Sequence, residues 1–255
     1  MKEKIKKFLK TKTGRRVFAA LSLAFAILGA VAIISLASTY MELRSAQEGY
    51  AGLRGFPQSE SGEDPENNTI SGPEAETEQA FGPSADLLNI NEDYIGWIRI
   101  DGTSIDYPVT QCGSNEKYLY WTFWDEQNIV GCIFMDSRLP KGFEGPLAIL
   151  YGHNSRDGSM FAPLYDFFDT EFLDSHSEVT IYMLEGGEVV YHIFAAIKTD
   201  VNDPIFQLFD GGAAILNDYF SRHGSPEGMK HFLVMSTCTK SDDDDERYLV
   251  LAARP

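Results

Sequence analysis

Cysteine is scarce in this chain. Cys112, Cys132 and Cys238 are the only three, and no two stand in a C-x-x-C spacing. That excludes a zinc site built on paired cysteines. Basic residues are scarce too, once the first 16 positions are passed. The whole chain carries −17 and residues 1–16 carry +7, which leaves −24 on the rest. Nucleic-acid binding needs a basic face, so no nucleic-acid partner is expected. The acidity of the body serves solubility. No internal repeat is present, which excludes a solenoid or propeller array.

Charge of either sign is missing between Arg16 and Glu42, and residues 17–37 form an apolar run of 21. A helix needs about 20 such residues to cross the hydrocarbon of a bilayer. The basic flank is on the N-terminal side, which predicts a cytoplasmic tail over residues 1–16, a membrane anchor over 17–40 and everything later outside the cell. Small residues at Ala37 and Ser38 leave signal-peptide cleavage as the competing reading, but the apolar core of a signal peptide is shorter than this run. Residues 40–55 can continue as a helix beyond the membrane. Residues 56–83 contain four prolines, seven acids and no basic residue. Such a stretch cannot bury enough apolar surface to order itself, so residues 41–83 are expected to form an acidic, flexible extracellular spacer.

A folded domain is expected over residues 84–255. Short runs rich in Val, Ile and aromatics, bounded by polar turns, predict strands at 96–100, 104–109, 131–135, 147–150, 179–183, 189–196, 232–235 and 248–251. Helices are expected near 84–88, 160–168 and 213–223. Eight strands with a few connecting helices predict a mostly β barrel or sandwich.

Chemistry concentrates in residues 231–252, HFLVMSTCTKSDDDDERYLVLA. If its two apolar runs pair as a hairpin, Cys238 at the end of one meets Arg247 at the start of the other. A neighbouring cation promotes the thiolate, and a guanidinium can stabilise a developing oxyanion. A third group comes from LAILYGHN, residues 147–154, where His153 follows a glycine at a strand end. Histidine there can act as general acid or base for a cysteine nucleophile. Ser236 and Thr237 can offer hydroxyls to a cleft, and Asn91 and Tyr165 are further candidates for cleft positions. No acid that orients His153 is evident; Asp136 and Asp157 are near it only in sequence. Cys112 and Cys132 read as separate thiols rather than a disulfide, and the other four histidines as structural or solvated. The DDDDE run at 242–246 lacks the alternating ligand spacing of a calcium loop and reads as a solvated loop.

GHN after an apolar strand, STC closing a later one and Arg opening the last resemble the sortases, membrane-anchored cysteine transpeptidases of Gram-positive bacteria. Residues 91–111, 131–136 (GCIFMD) and 151–164 (YGHNSRDGSMFAPL), with the long insertion near 203–228, resemble class B. The resemblance implies an eight-stranded sortase-type barrel with peripheral helices, catalysis by Cys238, His153 and Arg247, and help from the backbone near Thr239. It implies no cofactor and no metal. The implied partners are exported proteins bearing a C-terminal sorting pentapeptide, cleaved after Thr through a thioacyl-enzyme, and an amine that resolves it. That amine belongs either to a cell-wall precursor or to a pilin lysine, and the sequence does not choose. A membrane-tethered binding module without catalysis is the alternative from another class.

Overall fold

The computed structural model describes residues 11–54, 84–210, 212–239 and 245–255. The chain divides into two compact units, residues 1–45 and 46–255. In the first, residues 12–45 belong to one helix, α1 (Lys12–Leu53). Its apolar side chains point outward: Phe25 and Leu36 are both more than 70% exposed, and none of the apolar window is buried. A helix that hides none of its apolar surface against protein, over a length sufficient to span a bilayer, is a candidate membrane span. The helix expected to continue over residues 40–55 is present, because α1 stays helical through Leu53, and Tyr50 within it is buried. Residues 55–83 lie outside the described residues.

The second unit is a closed barrel of eight strands. They are β1 (Tyr94–Arg99), β2 (Asp106–Thr110), β3 (Ile133–Met135), β4 (Leu147–Tyr151), β5 (Glu178–Met183), β6 (Glu188–Asp200), β7 (His231–Cys238) and β8 (Glu246–Arg254). Around the barrel the order is β1-β2-β3-β4-β7-β8-β6-β5. All eight expected strands are present. The helices are α2 (Ser84–Ile90), α3 (Thr170–Ser175) and α4 (Ala213–Arg222), and the segments Ala162–Phe168 and Pro204–Asp210 are 3-10 turns. The helix expected over 160–168 is thus a tighter 3-10 segment, entered through Pro163.

Two pairings are parallel, β2 with β3 and β4 with β7. The second sets the site. β4 and β7 are buried along nearly their whole length, as parallel strands covered on both faces should be. Inside the barrel Ala148, Leu150, Leu233, Met235, Val250 and Ala252 are almost fully buried. Outside it, Leu147, Ile149, Phe232, Val234 and Leu251 pack under Ile205, Leu216 and Phe220 from the insertion between β6 and β7. Phe220 stacks on Phe232 at 4.0 Å between ring centroids. Each large apolar side chain buried this way contributes about 1.5–3 kcal/mol. The insertion therefore acts as the outer layer that lets β7 be apolar on both faces.

Candidate active site

Because β4 and β7 run parallel, their C-terminal ends arrive at the same rim. Tyr151, the last residue of β4, is in register with Ser236, and Cys238 ends β7 two residues later. β8 returns antiparallel, with Arg247 directly opposite Cys238. The chain leaving β4 is fastened there: Gly152 N donates to Ser236 O at 3.2 Å and Asn154 Nδ2 donates to Cys238 O at 2.9 Å. His153 lies between those two bonds, so thiol, imidazole and guanidinium share one rim of the barrel. Gly152 is required by packing, since a Cβ there would lie 2.4 Å from Ile133 Cδ1 and 2.8 Å from the Phe161 ring.

The half-buried His153 ring is oriented by a main-chain group. Its Nε2 is 2.7 Å from Leu119 O. A carbonyl oxygen only accepts, so this bond places the proton on Nε2 and leaves Nδ1 as the nitrogen that gains or loses one. Neither nearby aspartate does this work. Asp136 is fully buried and bonded to Arg138, Asn115 and Tyr151. Burial alone would raise its pKa, but these donors prevail and hold it at about 2. Asp157 accepts from Ser159 and from Gln47.

Cys238 is exposed, and it, Cys112 and Cys132 are all free of disulfide bonds. Cys132 is buried, and desolvation pushes its thiol up to about 12. Arg247 Nη1 donates to Glu246 O at 2.8 Å. Ser236 and Thr237 are buried, and their hydroxyls have no hydrogen-bond partner among the described residues. Thr239 N lies 3.4 Å from Glu246 O, and its hydroxyl donates to Glu246 Oε2 at 3.1 Å. Tyr165 is exposed and its ring lies 5.4 Å from that of Tyr248, the residue after Arg247. Asn91 is not at this rim. It is buried, its Nδ2 donates to Phe123 O and Tyr118 Oη, and its Oδ1 accepts from Asp93 N, so its amide is committed to holding the chain before β1.

The four other histidines have partners of their own: His176 bonds Phe172 O, His223 bonds Tyr219 O, His231 bonds Gly145 O, and His192 lies 3.6 Å from Glu178 on the neighbouring strand. Of the acidic run, Asp242–Asp244 lie outside the described residues; Glu246 pairs with Lys198 at 2.7 Å. Among the described residues no group of His, Cys, Asp and Glu could hold a metal. Beside Leu119 a cavity of about 850 Å³ is lined by Ser114, Glu116, Lys117, Tyr120, Trp121 and Asp125. Sequence reasoning missed Leu119, because a main-chain acceptor such as Leu119 O leaves no trace in residue identity.

Comparison with known proteins agrees with this geometry. The sortase domain family model matches residues 98–255. Sortase B of Listeria monocytogenes is 30% identical over 180 residues, covering 66% of this chain and 72% of that protein. The Clostridium perfringens sortase B structure is 28% identical with a TM-score of 0.59, covering 66% of this chain and 97% of that one. The Staphylococcus aureus sortase B–substrate complex superposes with a TM-score of 0.67 at 25% identity, over 84% of this chain and 97% of that one. A barrel whose parallel β4–β7 pair brings a histidine and a cysteine to one rim, matched over most of its length by these proteins, belongs to the sortase family, class B, whose members are cysteine transpeptidases.

Proposed function

We propose that this chain cleaves a C-terminal sorting signal of exported proteins after threonine and transfers the protein to an amine of a cell-wall precursor. The convergence of Cys238, His153 and Arg247 at one barrel rim carries this reading. Cys238 Sγ attacks the threonine carbonyl and forms a thioester, while the peptide bond breaks. His153 Nδ1 takes the thiol proton and delivers it to the leaving amine. The incoming amine then attacks the thioester, His153 takes its proton, and Cys238 leaves as thiolate. Splitting one acyl transfer into two easier steps is the gain of covalent catalysis. The Arg247 guanidinium, opposite the thiol, stabilises the oxyanion of both tetrahedral intermediates. Residues 17–40 anchor the enzyme in the membrane with residues 1–16 cytoplasmic, so the catalytic domain over 84–255 meets exported substrates outside.

The test is intact mass of the full chain in detergent, incubated with sorting peptides of several sequences, with and without an amine. A mass gain on Cys238 equal to the fragment ending in threonine, discharged into a new amide by added amine, is expected. Discharge to water in preference to amine would make the protein a hydrolase instead. Parallel arms with a cell-wall peptide amine and a pilin-type lysine peptide decide which acceptor reacts.

A further inference from the structure

The last turns of α1, residues 46–53, pack within the second unit against the segments that flank His153. Tyr50 is only 2% exposed. Its hydroxyl donates to Gly131 O at 2.8 Å and accepts from Phe123 N at 3.1 Å. Its ring stands edge-on to Tyr107 at 5.5 Å and against Trp124 at 5.0 Å. Gly131 has a left-handed φ of +64°, and a Cβ there would lie 2.4 Å from Tyr118 O, 3.1 Å from Leu119 O and 3.2 Å from His153 Cδ2. The residue whose carbonyl Tyr50 holds therefore lies beside both the imidazole and the carbonyl that orients it, with no room for a side chain between them. A second arm reaches the other side of the same histidine. Tyr107 Oη accepts from Met160 N at 3.1 Å, and the next residue, Phe161, donates from its N to His153 O at 3.0 Å. Gln47 bonds Asp157 in the loop between them.

Seating a helix needs only apolar surface, and a buried hydroxyl is costly unless it is bonded. Here the hydroxyl is used as donor and acceptor at once, and both partners belong to the 118–131 segment that carries Leu119. We infer that Tyr50 is a positioning residue for His153, acting through Gly131 and the Leu119 carbonyl. This rests on the reading of His153 as the proton carrier. The end of the N-terminal helix thereby becomes part of what sets the imidazole against the thiol.

Tyr50→Phe keeps the ring and removes both hydrogen bonds. In the full chain in detergent, three quantities are measured: the His153 imidazole NMR resonance and its titration, kcat, and KM for a sorting peptide. The inference expects the imidazole resonance and its midpoint to move and kcat to fall about tenfold, as displacement of a reacting group does, with KM unchanged. An unmoved imidazole with unchanged kcat overturns it. A raised KM with an unmoved imidazole also overturns it, because Tyr50 would then serve docking alone. A moved imidazole with full turnover upholds the positioning and sinks the assignment of His153 as proton carrier. Should Tyr50→Phe lower the yield of folded protein, Trp124→Leu loosens the seat of the Tyr50 ring and gives the same readout, and a stationary imidazole in that variant overturns the inference.

Discussion

Cys132 and Cys238 are the same residue in two places. Cys132 stands just before β3, buried, its thiol within 3.7 Å of Pro108 O, and burial pushes its pKa up to about 12. Cys238 stands where β7 emerges from beneath the Ile205–Phe220 cover, exposed and opposite Arg247. Desolvation penalises the thiolate at one position, while water and a cation are available to it at the other. On the proposed reading, reactivity is a property of where the strand ends rather than of cysteine itself.

Six experiments break or sharpen that contrast. Cys238→Ala should abolish the acyl-enzyme mass and lower kcat/KM by about 10⁴-fold or more. His153→Ala removes the proposed proton carrier, and the expected loss is about 10²–10⁴-fold, read from steady-state kinetics. Arg247→Lys keeps the charge but not the planar fork, and a loss of about 10²-fold in kcat/KM is expected. At the buried thiol, Cys132→Ala should leave kcat/KM within about twofold and cost about 1 kcal/mol in denaturant unfolding. In the unsubstituted protein a thiol reagent at pH 8 should label Cys238 quickly, and Cys132 only as fast as the barrel opens. The smallest effect concerns Asp136, whose folded pKa is depressed to about 2 by its donors. Its contribution is present above the ordinary carboxylate range and is lost as pH falls from about 4 towards 2. Thermal melts should show about 2 kcal/mol of that loss missing in Asp136→Asn.

Much of the barrel was legible because its strands are short, apolar and well punctuated. The paired runs at 232–235 and 248–251 and the apolar 147–150 run all fall inside observed strands, and the hairpin puts residue 247 opposite 238. The parallel partnership of β4 with β7 was not legible, since no local pattern records which strand lies beside which. Leu119 was invisible because it acts through its backbone. Asn91 misled because a polar residue before a strand looks the same whether it faces substrate or caps its own chain; only its hydrogen bonds distinguish the two. The continuation of α1 to Leu53 was legible in part, but the docking of Tyr50 depends on Tyr107 and Trp124, far along the chain.

The parallel pairing has a consequence for when the enzyme comes alive. Leu147 and Phe232 are neighbours in space but 85 positions apart in sequence. Closing so long a loop must precede any contact that rewards it, which makes this junction slow to form. Until it forms, His153 and Cys238 are strangers on one string. A chain that lacks β7 and β8 lacks Cys238 and Arg247, and the residues after β4 have no strand to be fastened to. The topology ties assembly of the proposed site to the closing of the barrel by its last two strands.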